Sequence, residues 1–183
     1  MEKKIEKMDI ENESKSKEEI GRLALIVKYS PSLINIASLD GRMTFINEAG
    51  EKILGITQKE VQNFSIVDAV SPRLRDFVEK ELFSVLQKKG FWEGELEYEN
   101  VKTKKIIIAY ARCFVIKNEK TGKGEFYVNI SEDITERKKN EIALEENMAE
   151  MERINKLMIG REMKMIELKE KIKSLENKNN END

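Results

Sequence analysis

The chain has 183 residues, of which 39% are hydrophobic and 37% are charged, a balance that favours one compact domain of about 100 to 150 residues plus extended material. Its 33 Lys and Arg residues nearly balance its 35 Asp and Glu residues, and the net charge of -2 excludes the strongly basic surface of proteins that bind nucleic acid or anionic membranes. The sequence contains no histidine, which excludes a histidine base, metal ligand or phosphate acceptor within it.

The single cysteine, Cys113, excludes a disulfide within the chain, and no Cys/His cluster has metal-ligand spacing. The longest apolar run, residues 106–111, is much shorter than the roughly 20 residues of a membrane helix. The first residues also lack the apolar core of a signal peptide. We therefore expect a cytoplasmic protein without a membrane or nucleic-acid partner.

An amphipathic helix is predicted in front of the domain. Residues 1–17 mix acidic and basic side chains with few apolar ones, which predicts a disordered leader. Ser16 and Glu19 have the spacing of a capping box, and Pro31 ends the helical pattern. The apolar stripe of this helix either covers the sheet of the domain or pairs with a second copy of the chain. It consists of Ile20, Leu23, Ala24 and Val27.

A β-hairpin and a group of helices are predicted next. Asp40 and Gly41 suit the tight turn of the hairpin, and Asn47 suits the N-cap of a short helix that ends at Gly55. Pro72 suits the first turn of a longer amphipathic helix. The predicted strands span 33–39 and 43–46, and the predicted helices span 49–54 and 72–89.

Three long antiparallel strands are predicted after Gly90, because the period of the apolar residues falls there from about 3.6 to about 2. They span residues 91–98, 104–116 and 123–130. Residues 106–111 of the middle strand are apolar on both faces, so both faces of the sheet need a cover. The helices supply one cover, and the N-terminal helix or a second subunit supplies the other.

The order of these elements resembles the PAS domain family, whose fold is a five-stranded antiparallel sheet with flanking helices. Three stretches carry the resemblance: the opening hairpin with the first helix, the hairpin after the long helix, and the Asp-Ile-Thr exit into a signalling helix. They read YSPSLINIASLDGRMTFINEAGEKILGIT, FWEGELEYENVKTKKI and SEDITERKK. We therefore predict an α+β PAS fold over residues 18–135, including the N-terminal helix, followed by a long coiled-coil helix over 136–178 and a disordered tail over 179–183.

The resemblance implies a sensing or interaction module, often with a small-molecule ligand between the sheet and the helices, upstream of a histidine kinase or another signalling protein. Haem bound through histidine is excluded because the chain has none. Flavin photosensors of the family carry a cysteine in an Asn-Cys-Arg-type motif of the helical region. Cys113 lies instead in a predicted strand, and we interpret it as a buried apolar residue. Trp92 either stacks on a flavin ring or, as we favour, is an ordinary part of its hairpin, so the cofactor stays unassigned.

A ligand pocket is predicted on the face of the sheet that turns toward the helices, and strand alternation selects its lining. Asn129 interrupts an otherwise apolar closing strand, so it either hydrogen-bonds a ligand or lies on the outer face in water. The candidate lining residues are Ile36, Phe45, Leu54, Phe77, Trp92, Ile108, Tyr110, Tyr127 and Asn129.

A heptad pattern begins at Leu144 and continues to the end of the helical segment. It predicts a parallel homodimeric coiled coil, since a lone helix of this length has no core to pack against. Leu157, Ile159, Met163 and Ile166 lie off the seam, so a wider bundle or packing against another protein is an alternative. The apolar seam positions are Leu144, Met151, Ile154, Met158, Met165, Leu168, Ile172 and Leu175.

The strand-to-helix junction is predicted to be a polar coupling for a signal. Asp133 and Arg137 are four residues apart and oppositely charged, so they suit an ion pair across the first helical turn. The hydroxyl of Thr135 suits a helix cap. No seam residue precedes Leu144 in register, so the coil begins about two helical turns after the sheet ends.

These features predict a non-catalytic PAS sensor or interaction module that dimerises and relays a ligand or partner signal through the junction into the coiled coil. The first alternative is a truncated relative of a two-component sensor histidine kinase. The absence of histidine and of a glycine-rich nucleotide-binding stretch argues against enzymatic activity. A DNA-binding regulator is the weaker alternative, because the chain has neither a helix-turn-helix pattern nor a basic face.

Overall fold

The computed structural model describes residues 2–180, including the side chains of residues 15–173, and the chain divides after Thr135 into two compact units. The first unit contains a sheet with helices around it. The second unit is a single helix, whose residues belong to α6 (Thr135–Asn180).

The sheet has five antiparallel strands in the order β2-β1-β5-β4-β3, which confirms the predicted α+β fold. This order places the first and the last strand side by side at the centre. The strands are β1 (Leu33–Ser38), β2 (Met43–Ile46), β3 (Phe91–Glu99), β4 (Ile106–Lys117) and β5 (Gly124–Asp133).

Helices and short helical turns fill the segments outside the sheet. Those before β3 are α1 (Glu2–Tyr29), α2 (Glu48–Leu54), a 3₁₀ turn (Val61–Asn63), α3 (Ile66–Ala69), a second 3₁₀ turn (Pro72–Leu74), α4 (Arg75–Phe77), a π-helical turn (Val78–Leu82) and α5 (Phe83–Lys89). The segment 72–89, predicted as one helix, is therefore helical throughout but not uniform. At the π-helical turn Phe83 N–H donates to the carbonyl of Val78, five residues back, and both Val78 and Leu82 are buried.

The helix α1 continues through residues 2–17, where the sequence predicts a disordered leader. Glu and Lys are good helix formers, and they extend a helix that is already nucleated by the residues after them. At the other end, α6 reaches Asn180, so most of the predicted tail over 179–183 lies outside the described residues.

The two faces of the sheet differ in what lies against them. Side chains alternate along β1, so Leu33, Asn35 and Ala37 are buried on the inner face, against the helices. The inner face and the helices enclose one core. Its largest fully buried apolar side chains are Leu33, Met43, Leu54, Leu86, Val61, Val70 and Val78.

The outer face of the sheet carries one apolar residue from every strand in a single transverse row. The strand registers align these residues directly opposite one another, and we call them the outer row: Phe45, Ile36, Val128, Phe114 and Phe91. Phe91 is 45% exposed. The outer face is therefore apolar, as the sequence predicts for a sheet that needs a cover on both faces.

The apolar stripe of α1 is largely exposed in the single chain. The helix contacts α2, and among the stripe residues Ile20 and Leu23 are 63% and 57% exposed, Ala24 is exposed and Val27 is partly buried. Of the two alternatives for this helix, covering the sheet of its own chain therefore does not account for its stripe.

The side chain of Asn47 ties three elements together. Its Oδ1 accepts hydrogen bonds from the backbone N–H of Ile34 at 2.9 Å and of Gly50 at 3.0 Å, the second of which is the predicted N-cap of α2. Its Nδ2 donates to the carbonyls of Val27 at 3.1 Å and Ser32 at 2.9 Å. Because Asn47 is only 2% exposed, these bonds fix the end of α1 to the start of β1 in a place where water does not compete well.

Replacement of this hub tests its role. Asn47→Ala removes the four hydrogen bonds described above, and we expect it to lower the free energy of unfolding by about 4 kcal/mol, from roughly 1 kcal/mol for each lost partner. Asn47→Ser should recover only the α2 cap, about 1 kcal/mol. Urea unfolding measures both values, with Asn63→Ala on the exposed surface as the control. Equal stability of the serine variant and the natural chain would show that the bonds to α1 and β1 contribute nothing.

Candidate functional site

A cluster of polar side chains lies inside the core, on the inner face of the sheet. It consists of Asn35, Tyr98, Cys113, Asn129 and Ser131, which we call the core polar cluster. All five are buried, with exposures of at most 8%. Strand register brings most of them together, because Asn129 of β5 lies opposite Asn35 of β1 on one side and opposite Cys113 of β4 on the other.

The members of the core polar cluster satisfy one another. Asn129 Nδ2 donates to Asn35 Oδ1 at 2.8 Å and to the hydroxyl oxygen of Tyr98 at 3.0 Å. Asn129 Oδ1 accepts from Ser131 Oγ at 2.8 Å and from Cys113 Sγ at 3.4 Å. The Tyr98 and Ser131 hydroxyls also share a hydrogen bond of 2.8 Å. Asn129 therefore makes four of these contacts and is the centre of the cluster.

Tyr98 reaches the cluster from β3, which β4 separates from β5. The intervening strand, β4, presents Ala109 and Ala111 on the inner face, and both are almost completely buried. Their small side chains leave room for the ring of Tyr98 to cross β4 and place its hydroxyl against Ser131.

Burial keeps the titratable members of the cluster neutral. Removal from water raises the pKa of the Cys113 thiol to about 12. The same cause raises the pKa of the Tyr98 hydroxyl well above its ordinary value, against the opposing effect of its hydrogen bonds to Ser131 and Asn129. A neutral, buried thiol is a weak nucleophile, so the geometry agrees with the interpretation of Cys113 as a core residue.

A small cavity lies between the core polar cluster and the helices. Its volume is about 20 Å³, close to the minimum that holds one water molecule. The polar wall consists of Asn35, Tyr98, Cys113 and Asn129. The opposite wall is apolar and includes Val78 and Leu82 of the π-helical turn together with Leu86 and Ile66.

The structure brings together some of the residues predicted to line a pocket. Tyr127 and Asn129 line the cavity. Leu54 is buried in the core, and its side chain is not part of the cavity lining. Phe77 and Trp92 pack on each other at the rim of the core, with ring centroids 6.0 Å apart and ring planes at 59°. Trp92 therefore contacts an aromatic neighbour within its own domain.

Four other predicted lining residues lie on the outer face of the sheet. Ile36 and Phe45 belong to the outer row, and Ile108 and Tyr110 alternate with the buried Ala109 on β4. Tyr110 stacks under the guanidinium of Arg112 at 5.4 Å. Their assignment to the pocket is corrected here. The physical reason is that β1, β2 and the apolar run in β4 carry apolar residues on both faces, so the sequence does not show which set of residues faces inward.

The sequence prediction missed three members of the cluster, namely Asn35, Tyr98 and Ser131. Each lies on the same strand face as buried apolar residues, so each is a polar residue at an inward position. That signal is present in the sequence for Asn35, which alternates with Leu33 and Ala37. It is the same signal that selected Asn129.

The junction between β5 and α6 is fixed to β4 by the side chain of Thr135. Ladder pairing of β5 with β4 ends at Asp133, and Ile134 N–H then donates to the carbonyl of Ile108 at 2.9 Å. Thr135 Oγ1 accepts the backbone N–H of Ile108 at 3.0 Å, so a side chain replaces the backbone acceptor where the strand leaves the sheet. The side chain of Ile134 is buried at 3% exposure between these two attachments.

The first backbone N–H of α6 is bound by the side chain of Asp133. Asp133 Oδ1 accepts the backbone N–H of Thr135 at 2.8 Å, whereas the sequence assigns the cap to Thr135 and assigns Asp133 to an ion pair with Arg137. The ion pair would join the two units of the chain and stays a prediction. Arg137 itself is exposed.

The seam residues of α6 are all exposed in the single chain, at 46% to 66%. They are Leu144, Met151, Ile154, Met158, Met165, Leu168 and Ile172. The side chain of Leu175 lies outside the described residues.

None of the helices in the described part of the chain combines the length and the apolar character needed to span a bilayer.

Alkaline titration tests the electrostatics of the core polar cluster. In the unfolded chain Cys113 and Tyr98 ionise near their ordinary pKa values of 9.0 and 10.0, whereas in the folded domain burial raises both pKa values. The stability that these two groups contribute is therefore complete below pH 9 and is lost as the pH rises toward their folded pKa values. We expect the free energy of unfolding to fall by roughly 2 to 4 kcal/mol more between pH 8 and pH 11 in the natural chain than in Cys113→Ala/Tyr98→Phe. Parallel pH dependences of the two proteins would contradict the assignment.

Solved structures of other proteins have a similar fold. A PAS domain from Colwellia psychrerythraea matches with a TM-score of 0.59 at 20% sequence identity, over 64% of this chain and 98% of that chain. The PAS domain of an HTR-like protein from Haloarcula marismortui matches with a TM-score of 0.57 at 21% identity, over 68% and 98%. A PAS domain from a two-component sensor histidine kinase matches with a TM-score of 0.54 at 9% identity, over 64% and 98%. At these identities the likeness is one of fold. No curated protein sequence matches the chain.

The amino-acid sequence by itself also matches the same family. A PAS domain family profile matches residues 31–136, which is more than half of the chain. The match begins just before β1 and ends in the first turn of α6, so it contains the five strands, the core polar cluster and the Asp133–Thr135 junction. The chain belongs to the PAS domain family.

Proposed function

We propose that the chain is a signalling module that works as a homodimer and relays a change in its PAS core through the junction into a coiled coil. A PAS domain is a sensor domain of signalling proteins, which gives the class of function. The observation that carries the relay is the hydrogen bonding of Thr135 to Ile108, because it attaches the first residue of α6 directly to the sheet.

One strand connects the core polar cluster to this attachment. Asn129 and Ser131 of the cluster lie on β5, and β5 leads without interruption to Asp133 and Thr135. Cys113 of the cluster lies on β4, the strand that holds Thr135. A shift of β5 against β4 therefore changes the hydrogen bonds of the cluster and of the junction together. The coupling is between two arrangements of the same pair of strands.

The exposed seam of α6 supports a coiled coil as the output. The free energy of exposing seven apolar side chains on a long helix is recovered only when a partner covers them. A second copy of the chain supplies an identical seam in register. Leu157, Ile159, Met163 and Ile166 leave a second apolar surface for a downstream signalling protein, such as a histidine kinase.

The first unit also supports dimerisation. The stripe of α1 and the outer row are two apolar surfaces that the single chain buries incompletely. In the outer row Phe91 is exposed, Ile36, Phe45 and Phe114 are partly buried, and Val128 is buried. A symmetric dimer buries both at once, since each copy offers the same pair of surfaces. A small molecule that displaces the Asn129 contacts is the proposed input, because the cavity adjoins them.

A catalytic role is the second candidate, and the similarity to a PAS domain from a two-component sensor histidine kinase is the observation that favours it. The residues that follow the matched PAS domain form one helix in the described chain. We expect incubation with labelled ATP to leave the protein unlabelled, because the chain has no histidine to accept a phosphoryl group. Stoichiometric labelling would replace the relay by a kinase as the proposed function.

Substitution of the junction threonine tests the relay. Thr135→Val keeps the shape of the side chain but leaves Ile108 N–H without an acceptor, which costs about 1 to 3 kcal/mol. We expect amide hydrogen exchange at Ile108 to accelerate at least about tenfold and exchange along residues 144–172 to accelerate with it. Thr135→Ser keeps the acceptor and should match the natural chain at both places. If the acceleration in Thr135→Val stops within residues 133–138, the junction anchors the helix but does not transmit a state to it.

A charge placed in the outer row tests the proposed dimer. Phe114→Glu puts a carboxylate at the centre of the surface that two copies would bury, and we expect the dimer dissociation constant to rise at least about tenfold. Gln62→Glu adds the same charge to an exposed turn on the helical side and serves as the control. Sedimentation equilibrium measures both constants. An unchanged constant for Phe114→Glu would exclude the outer face from the interface.

A further inference from the structure

A surface groove of about 340 Å³ lies beside the cavity. It is bounded by the C-terminal end of α5, the end of β4 and the start of β5. Its apolar walls are Leu39, Leu86, Val115 and the ring of Tyr127. This volume falls within the range of small-molecule sites, which are mostly apolar with a few polar groups that fix the ligand.

Three lysines line the groove, and no acidic residue lines it among those the structure describes. Lys88 and Lys89 stand at the last turn of α5, and Lys117 stands at the end of β4. None of the three forms an ion pair with another described residue. The dipole of α5 explains why lysines are favourable at its C-terminal turn. It does not explain Lys117, which lies on β4.

Tyr127 adds a polar group to this site. The residue is only 3% exposed, and its hydroxyl has no hydrogen-bond partner among the described residues. No buried side-chain oxygen of the described residues lacks a partner, so this hydroxyl reaches solvent. Tyr127 and Leu86 line both the groove and the internal cavity, so these two side chains form the wall that separates the two spaces. A phenol without a partner at this position is a donor for a ligand in the groove.

A glycine keeps the groove open. A Cβ atom at Gly124 would lie 3.0 Å from Val115 Cγ1 and 3.8 Å from Leu39 Cδ2, so a side chain there would occupy the space between two walls. The backbone of Gly124 does not have a positive φ, and other residues therefore fit its conformation.

We infer that this groove binds a small aliphatic carboxylate of medium chain length, such as octanoate. The alkyl chain of the ligand lies on Leu39 and Val115, which are exposed and partly exposed, so its binding removes apolar surface from water. The carboxylate accepts hydrogen bonds from the three lysines, whose positive charges otherwise have no counter-ion in the described chain. The inference adds a ligand class to the sensor role proposed above, at a groove that Tyr127 and Leu86 separate from the cavity beside Asn129. It rests on that role only for the signal that the ligand would give, because the binding itself is measured directly.

Calorimetric titration of the full-length chain with octanoate, below its micellar concentration, tests the inference. We expect saturable binding of one octanoate per chain, at least about tenfold weaker binding of octanol, and no binding of acetate. Lys88→Gln/Lys89→Gln/Lys117→Gln should weaken octanoate binding at least about tenfold, because it removes the charges and keeps the walls. Lys59→Gln/Lys105→Gln/Lys139→Gln removes the same charge elsewhere and should bind as the natural chain does.

Gly124→Val provides an independent test by steric block. It fills the groove without changing a charge, and we expect it to abolish octanoate binding while its circular dichroism spectrum stays that of the natural chain.

The inference is overturned if octanoate does not bind the natural chain, if octanol binds equally well, or if the two lysine variants bind octanoate alike. A change of native mass in the Lys88/Lys89/Lys117 variant would assign the groove to a protein contact and overturn it as well. Because binding is measured directly, these outcomes are separate from a failure of the relay, which appears only in hydrogen exchange along α6.

Discussion

One buried hydrogen bond, from the side-chain amide of Asn129 to that of Asn35, joins the last and the first strand of the domain at the centre of its sheet. The two residues are 94 positions apart, so the bond forms only when the whole domain has closed around it. Loss of either amide would leave its partner buried without a hydrogen bond, which costs more than the bond itself contributes. The other three strands lie on either side of this central pair, β2 beside β1 and β4 and β3 beside β5.

The core polar cluster also determines the register of β5, which hydrophobicity alone does not determine. The outer row is almost as apolar as the inner face, so burial of apolar surface alone does not distinguish the observed register of β5 from one shifted by a residue. Such a shift would turn Asn129 and Ser131 outward and would bring Val128 and Ile130 into the core. It would also leave Tyr98 without its partners in the interior. Buried polar groups thus specify the register, at the expense of some stability that a fully apolar core would have.

The same ambiguity explains how far the sequence predicts this protein. The hairpin at Asp40 and Gly41 and the change of period at Gly90 are local signals, and from them the order of elements and the α+β fold are predicted and confirmed. The facing of β4 has no local signal, because its residues are apolar on both sides, and the pocket assignments on that strand fail for this reason. The acceptor role of Thr135 depends on Ile108, a residue 27 positions away, and only the folded chain brings the two together.

The central position of β1 and β5 has a consequence for how the domain is used in evolution. Leu33, at the start of β1, lies opposite Ser131, near the end of β5, so the chain enters and leaves the domain through neighbouring strands. Asn47 fixes the entering helix at this place, and Thr135 fixes the departing one. A domain whose two ends are adjacent places few demands on the length of the segments that connect it to its neighbours. Such a domain is readily duplicated, exchanged or inserted between other segments of a signalling protein.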